Sequence, residues 1–497
     1  MENLKELIKI LNRKKLSSVD VLDKTFLSKE ESNVYLKLYN AIENGIVNTD
    51  IEAEYFIYGA ENNVAYRQLK SRFKKKFLKT LLLLDADEYF GNNKIAKNYY
   101  ECISTAYSIE ILIKLNGTTK TAIDLIKQEY ARVLSFKYYD ILIKYSNYLI
   151  LYYTLNGDVK KADEEAERFQ VYITTFAAEN ECIVLFNKIQ AKFIAGKPVN
   201  QSLIDELKLT IDTISNKIKN LQDSGITFNL YQLKLNYEEC TGNVQSLLTV
   251  TDELQHFFEQ QPQLLNNTRK TLILLYKLKS LLHLKDYASG LQLIDKEKNY
   301  FPTAYSFNWY AIKEFEFKLY LHSHQTIGAG RVLQEVMSNK FFNKQNENLR
   351  EKWKIFEAYF ILLDNYLQKG NYKFSIGKFI NEVPVASKDK TGFNYAIRLV
   401  EILFLMAKKD YNPIFKKMDG LSLYKTRYLN DNTYKRNHLF LSLLLKAEKT
   451  GFNAREMRKL QAHEIEELSK PNTYIIAEWE VIPFENIWEM MLELAKN

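Results

Sequence analysis

Cysteine, proline, glycine and long apolar runs are all scarce in this chain of 497 residues, and each scarcity excludes something. The three cysteines, Cys102, Cys182 and Cys240, are widely spaced and odd in number. They offer neither a disulfide framework nor a CxxC pair, which fits a reducing compartment. Seven prolines and 16 glycines leave no Pro/Gly/Ser-rich stretch to act as a flexible linker. No apolar run approaches the ~18–20 residues of a membrane-spanning helix. The run LLLL at 81–84 is short and breaks into charge. The opening MENLKELIKILNRKK is charged throughout and lacks the apolar stretch and small-residue cleavage site of a signal peptide. These absences predict a cytoplasmic protein with no membrane partner.

Recognisable chemistry is missing as well. There is no G-x-x-x-x-G-K-[ST] loop and no G-x-S-x-G elbow. Gly328-Ala-Gly330-Arg331 lacks a third glycine and a preceding strand. His463-Glu464 begins like a zinc-protease HExxH, but residue 467 is Glu, so the second ligand is absent. His322-Ser-His324 is the one close pair among six histidines, and residues at i, i+2 diverge on a helix. It has no neighbouring carboxylate or thiol and reads as an ordinary turn. Asp163-Glu164-Glu165 lies beside Lys160 and Lys161, a spacing that suits ion pairs on a solvated helix face. No catalytic residue, metal or cofactor is expected, and the chain is not read as an enzyme.

What is abundant is ring and charge. There are 34 Tyr and 29 Phe in a chain that is 46% hydrophobic, enough for a folded core and too much for disorder. Packed helix seams account for most of these rings, and a partner-binding groove is the other place for them. The wealth of Lys, Asn, Ile and Tyr suits an AT-rich, bacterial genome. Lys and Arg total 69 against 61 Asp and Glu, a net +8 that permits nucleic-acid contact without implying it.

Turn signals recur at Gly117, Gly157, Gly196, Gly242, Asp286, Thr326, Gly370, Asp410 and Gly451, at intervals of 39 to 46 residues. Each separates two helix-like stretches of roughly 15–20 residues. In 142–173 one helix runs to Leu155, Asn156-Gly157-Asp158 turns the chain, and Val159, Ala162, Ala166 and Phe169 mark the next helix. Gly allows the φ > 0 that ends the first helix, and Asp158 can cap the second. The same layout returns in 112–126, 281–294, 366–380 and 403–418. A fixed period of this size marks an array of helical hairpins.

The turn texture resembles that of the tetratricopeptide repeat, with its -G-x-(Y/F)-x-x-A- step between helices. The resemblance covers roughly residues 95–460, and the period of about 40 exceeds the family's 34. It implies an all-α fold: a right-handed α-solenoid of about nine hairpins over 91–470. Armadillo- or HEAT-like pairing has a compatible period. It also implies an interaction scaffold holding a partner protein or peptide on its concave face.

Both ends differ from the array. Residues 1–90 read as a separate helical element. Ser28-Lys-Glu-Glu31 is a capping box opening a helix to about Asn44, stopped by Gly45. Thr49-Asp-Ile-Glu52 is a second, opening a short helix to Tyr58, stopped by Gly59. A long helix is expected over 64–85. Residues 471–497 carry five acids and one base, with Tyr474-Ile-Ile and Trp479 through Phe484 expected extended as a C-terminal cap.

The sharpest local feature lies on the 64–85 helix. Arg67, Lys70, Arg72, Lys74, Lys75, Lys76 and Lys79 put seven bases in thirteen residues with no acid. Tyr66, Leu69, Phe73, Phe77, Thr80 and Leu84 form the opposite stripe. With the short helix and the Gly59 turn before it, this is a candidate helix-turn-helix. The basic face can be the solvated side of a hairpin, a phosphate-contacting surface with Gln68 and Ser71 at base edges, or a dock for an acidic protein. The second of these would make the chain a bacterial transcriptional regulator with a hairpin-array sensor.

Overall fold

The computed structural model describes residue 4 and residues 29–59, 64–80, 86–91, 93–115, 119–194, 201–219, 226–304, 306–368, 374–383, 393–428, 435–460, 462–470 and 480–496. Every regular element among these residues is a helix, so the fold is all-α as expected. None of the described helices is long and apolar enough to cross a membrane. The chain divides into two units, Met1–Thr174 and Thr175–Asn497.

The first unit starts with α1 (Lys29–Glu43), α2 (Asp50–Tyr58) and α3 (Val64–Thr80). Thr49 and Glu52 form the expected capping box, each side chain accepting the other's backbone N–H, at 3.2 and 3.3 Å. Gly59 ends α2 at φ +72°, a left-handed conformation that costs a residue with a Cβ about 1–2 kcal/mol. The three helices close on Tyr35, Leu38, Tyr39, Ala53, Tyr66, Leu69 and Phe73. A second core in this unit lies among α5 (Lys94–Lys114), α6 (Thr119–Ser135) and α7 (Tyr139–Leu155), with α4 (Ala86–Phe90) against α5. It is built on Cys102, Ile109, Ile123, Leu142 and Tyr145. The helix α8 (Val159–Ile194) opens after Gly157 and is far longer than its neighbours.

The second unit continues with α9 (Gln201–Lys219), α10 (Thr227–Thr241), α11 (Val244–Gln260), α12 (Asn267–His283) and α13 (Tyr287–Glu297). Then come α14 (Phe307–His322), α15 (Thr326–Met337), α16 (Glu347–Leu367), α17 (Ile376–Glu382) and α18 (Phe393–Ala407). The last are α19 (Asn412–Tyr428), α20 (Lys435–Lys449), α21 (Ala454–Leu460), α22 (Ala462–Ser469) and α23 (Phe484–Lys496). Neighbours in sequence pack as hairpins. The first helices of successive hairpins also touch, as α12 does α14 and α16 does α18. The largest core runs through α14 to α23, around Phe317, Trp353, Phe356, Phe404 and Trp488.

One turn geometry recurs. At residues 157, 242, 285, 324, 409 and 451 the backbone enters the left-handed region. That residue's N–H reaches the carbonyl three back, and the next N–H reaches the carbonyl five back. Lys285 with Leu282 (3.2 Å) and Asp286 with Leu281 (2.9 Å) show the pattern. This Schellman closure satisfies carbonyls a helix end would otherwise leave unpaired. Six of the nine turn signals sit at these closures, and Gly117, Gly196 and Gly370 lie outside the described residues.

Among these six closures, glycine holds the left-handed position at Gly157, Gly242 and Gly451. Lys285, His324 and Lys409 hold it elsewhere, at φ +60°, +59° and +57°. Lys409 is exposed, so its substitution isolates the backbone effect. Lys409→Gly is expected to stabilise the second unit by about 0.5–1 kcal/mol, because it removes the Cβ clash at little other loss. Urea unfolding followed by tryptophan fluorescence measures it, since all four tryptophans (Trp309, Trp353, Trp479, Trp488) lie in this unit. An unchanged midpoint would mean the turn carries no strain.

The C-terminal segment is only partly as expected. Glu480–Pro483 is non-helical, but Phe484 opens a helix instead of extending the strand-like run. Pro483 explains the switch, being tolerated at a helix start and not within one. Tyr474 to Trp479 lie outside the described residues. α23 packs on α18, α21 and α22. The segment also reaches far back in sequence: Lys285 Nζ pairs with Glu485 at 2.7 Å, and His322 Nε2 meets the Val481 carbonyl at 3.1 Å.

Candidate functional site

The basic helix α3 is fixed in place by α2. Tyr66, Leu69 and Phe73 are buried at 2%, 7% and 0% exposure, which sets the rotation of the helix. Asp50, at the first turn of α2, accepts hydrogen bonds from Tyr66 Oη (2.9 Å) and Lys70 Nζ (2.7 Å). Burial opposes ionisation of Asp50, but the bonds from Lys70 and Tyr66 carry its carboxyl down to about 2. One carboxylate thereby locks the angle between the two helices.

With that rotation, the remaining bases take defined places. Arg67 and Lys74 are exposed in one row with half-buried Lys70, spaced i, i+3, i+7. Gln68, Arg72 and Lys75 form a second exposed row, spaced i, i+4, i+7. Ser71 and Leu78 lie between the rows. Lys70 has its charge matched by Asp50, so it contributes less to the field of this face than the sequence suggests. The side chains of Lys76, Phe77, Lys79 and Thr80, and residues 81–85 altogether, lie outside the described residues. From Arg67 to Leu78 this face is about 17 Å long, by the rise of 1.5 Å per residue. It holds positive side chains on a helix that follows the short capped helix α2 in sequence.

A second surface in the same unit was not legible in the sequence. On α5, Tyr99, Ile103, Tyr107, Ile111 and Leu115 stand at steps of four residues, 41–53% exposed. The opposite side of α5, at Cys102, Ala106 and Ile109, is in the core. The ridge therefore offers apolar groups to solvent over about 24 Å of helix. Its borders are paired charges, Lys97 with Glu101 and Lys144 with Glu110. α2 adds a shorter stripe of the same kind, Ile51, Tyr55 and Tyr58 at i, i+4, i+7.

Glu165 departs from its expected solvated face. It is 3% exposed and accepts hydrogen bonds from Ser146 Oγ (2.7 Å), Tyr130 Oη (2.9 Å) and Arg168 Nη1 (3.0 Å). Four polar groups from three helices satisfy each other there, which is a packing device. The His322–His324 pair is likewise divided, His322 buried at a helix end and His324 forming the left-handed turn. Cys102 and Cys182 are buried, and burial pushes both thiols up, away from nucleophilic use.

Comparison with protein-family models, with curated proteins and with solved structures gave no match to this chain.

Proposed function

We propose that this chain is a non-catalytic interaction scaffold of the cytoplasm. Its hairpins over 91–470 stack as a right-handed, tetratricopeptide-like α-solenoid, with residues 471–497 as its cap. The partner is a protein that lays an amphipathic helix along α5. The observation carrying this reading is the exposed ridge Tyr99–Ile103–Tyr107–Ile111–Leu115. Contiguous apolar surface of this kind is unfavourable in water and marks a contact face. Steps of four residues form the ridge that another helix accepts in its grooves. A rim of paired charges around an apolar strip is the usual composition of an interface. The recurring hairpin turn supports the array, because each unit then buries its faces on its neighbours.

The basic face of α3 supports a second reading, a transcriptional regulator whose helix-turn-helix over 49–80 contacts DNA. One experiment separates the two: affinity capture from the native host with and without nuclease, using wild type, Tyr107→Asp with Ile111→Asp, and Lys74→Glu with Lys75→Glu. The scaffold reading expects an identified protein partner that survives nuclease and weakens at least about ten-fold in the α5 variant. The regulator reading expects DNA, lost in the α3 variant. Fluorescence anisotropy would then show a salt slope smaller by about 2, one per lost phosphate contact. A partner retained by the α5 variant removes the scaffold reading in this form.

A further inference from the structure

Between α17, α18 and α19 the second unit forms a partly open pocket of about 180 Å³. Its apolar lining is Ile380, which is half-buried, with Ile397, Ile402 and Leu421 packed behind it, each no more than 2% exposed. Three charged side chains share the lining: Arg398, Glu401 and Lys417. Lys417 Nζ and Glu401 Oε1 pair at 3.0 Å. No carboxylate among the described residues pairs with Arg398, and its buried Nε has no hydrogen-bond partner. Two cations against one anion leave the cavity one positive charge in excess, located on a guanidinium. Gly420 lies against that guanidinium; a Cβ there would stand 3.4 Å from Arg398 Nη1. The small residue leaves the Arg398 head room in the lining.

We propose that this cavity binds a small monocarboxylate with a branched aliphatic or phenyl tail. A guanidinium offers parallel N–H groups that match a carboxylate two-to-two, which gives the single excess charge a partner. The tail lies against Ile380 and the apolar lining behind it. Size limits the ligand, since a dry cavity of about 150 Å³ holds a benzene molecule. About seven to nine non-hydrogen atoms therefore fit, as in isovalerate or benzoate. The site is independent of the α3 and α5 surfaces, and binding here would add a small-molecule input to either function.

Titration calorimetry on the full chain tests it with isovalerate, 4-methylpentanoate and benzoate, against their uncharged amides. Expected is a dissociation constant of about 0.1–1 mM for at least one acid, with its amide at least about ten-fold weaker. Arg398→Gln is expected to weaken the acid at least about ten-fold, and Arg398→Lys by less, because charge without the fork retains part of the contact. The midpoint of unfolding, measured for each variant, shows that the fold is kept. Equal binding of acid and amide, binding indifferent to Arg398→Gln, or no binding of any acid at about 10 mM overturns the proposal.

Discussion

Arg436→Met is expected to destabilise the second unit by about 3–5 kcal/mol, the loss typical of a buried ion pair stripped of one partner. Arg436 is 5% exposed and Glu480 is fully buried. Nε and Nη2 of the arginine grip both oxygens of Glu480, at 2.8 and 2.6 Å. Nη2 also reaches Glu485 at 2.8 Å, and Nη1 reaches the Leu468 carbonyl at 2.6 Å. Glu480 in turn accepts the Phe484 N–H at 3.0 Å and so fixes the start of α23. With Lys285 on Glu485, two cations balance two anions. Deleting the arginine leaves the Glu480 carboxylate in the core without a counter-charge. Replacing both Arg436 and Glu480 by methionine should recover most of the loss, because no unpaired charge then remains. Urea unfolding by tryptophan fluorescence reads the energies. Amide exchange along Phe484–Lys496 reads the release of the C-terminal helix. A single variant within about 1 kcal/mol of wild type would mean that apolar packing of Phe484, Ile487 and Trp488 holds the segment unaided.

That network shows why parts of the molecule escape a reading of its sequence. Helix limits are local properties, and the Thr49–Glu52 box, the Gly59 stop and the start at Val64 fall where the residues place them. The turns at Gly157, Gly242 and Gly451 were legible because glycine announces φ > 0. Lys285, His324 and Lys409 adopt the same φ without announcing it, since the Schellman hydrogen bonds supply the preference. Asp286 and Asp410 were visible only as the residues that follow. Burial is not local. Glu165 and its two acidic neighbours look alike in sequence, and only helices α6 and α7 decide that one of the three enters the core. Arg436 and Glu480 are 44 positions apart and carry no shared pattern. The α5 ridge failed for a related reason: Tyr, Ile and Leu at helical spacing read as core until the surrounding helices leave them uncovered. The basic rows of α3 were legible as composition, whereas the pairing of Lys70 with Asp50 required the fold.

The stability of the second unit should fall on mild acidification, and His322 is one cause. Its ring is fully buried, its Nε2 is seated on the Val481 carbonyl at 3.1 Å, and its Nδ1 has no hydrogen-bond partner among the described residues. Desolvation first, then the charge of Lys318, lowers its pKa from 6.5 to about 3. The sign follows from proton counting. Below pH 6.5 the unfolded chain takes up a proton at this histidine and the folded chain does not, so acid favours unfolding. The contribution is complete above pH 6.5 and is lost progressively as pH falls towards 3. At pH 5 that amounts to about 2 kcal/mol, from 1.36 kcal/mol per pH unit over the interval below 6.5. His283, whose burial also drives its pKa well down, adds in the same direction. Glu351 and Glu357, pushed up by burial, act in the opposite sense. Glu314 and Glu485 are held below the ordinary range and lose their contribution only at still lower pH. A single substitution isolates the histidine. His322→Gln keeps an N–H for the Val481 carbonyl but cannot be protonated. Its unfolding free energy, from urea titration, should therefore drop less between pH 7 and pH 5 than that of wild type, by about 2 kcal/mol. Identical pH dependence in the two proteins would show that His322 is protonated in the folded state, and that the end of α14 opens to water before the unit unfolds.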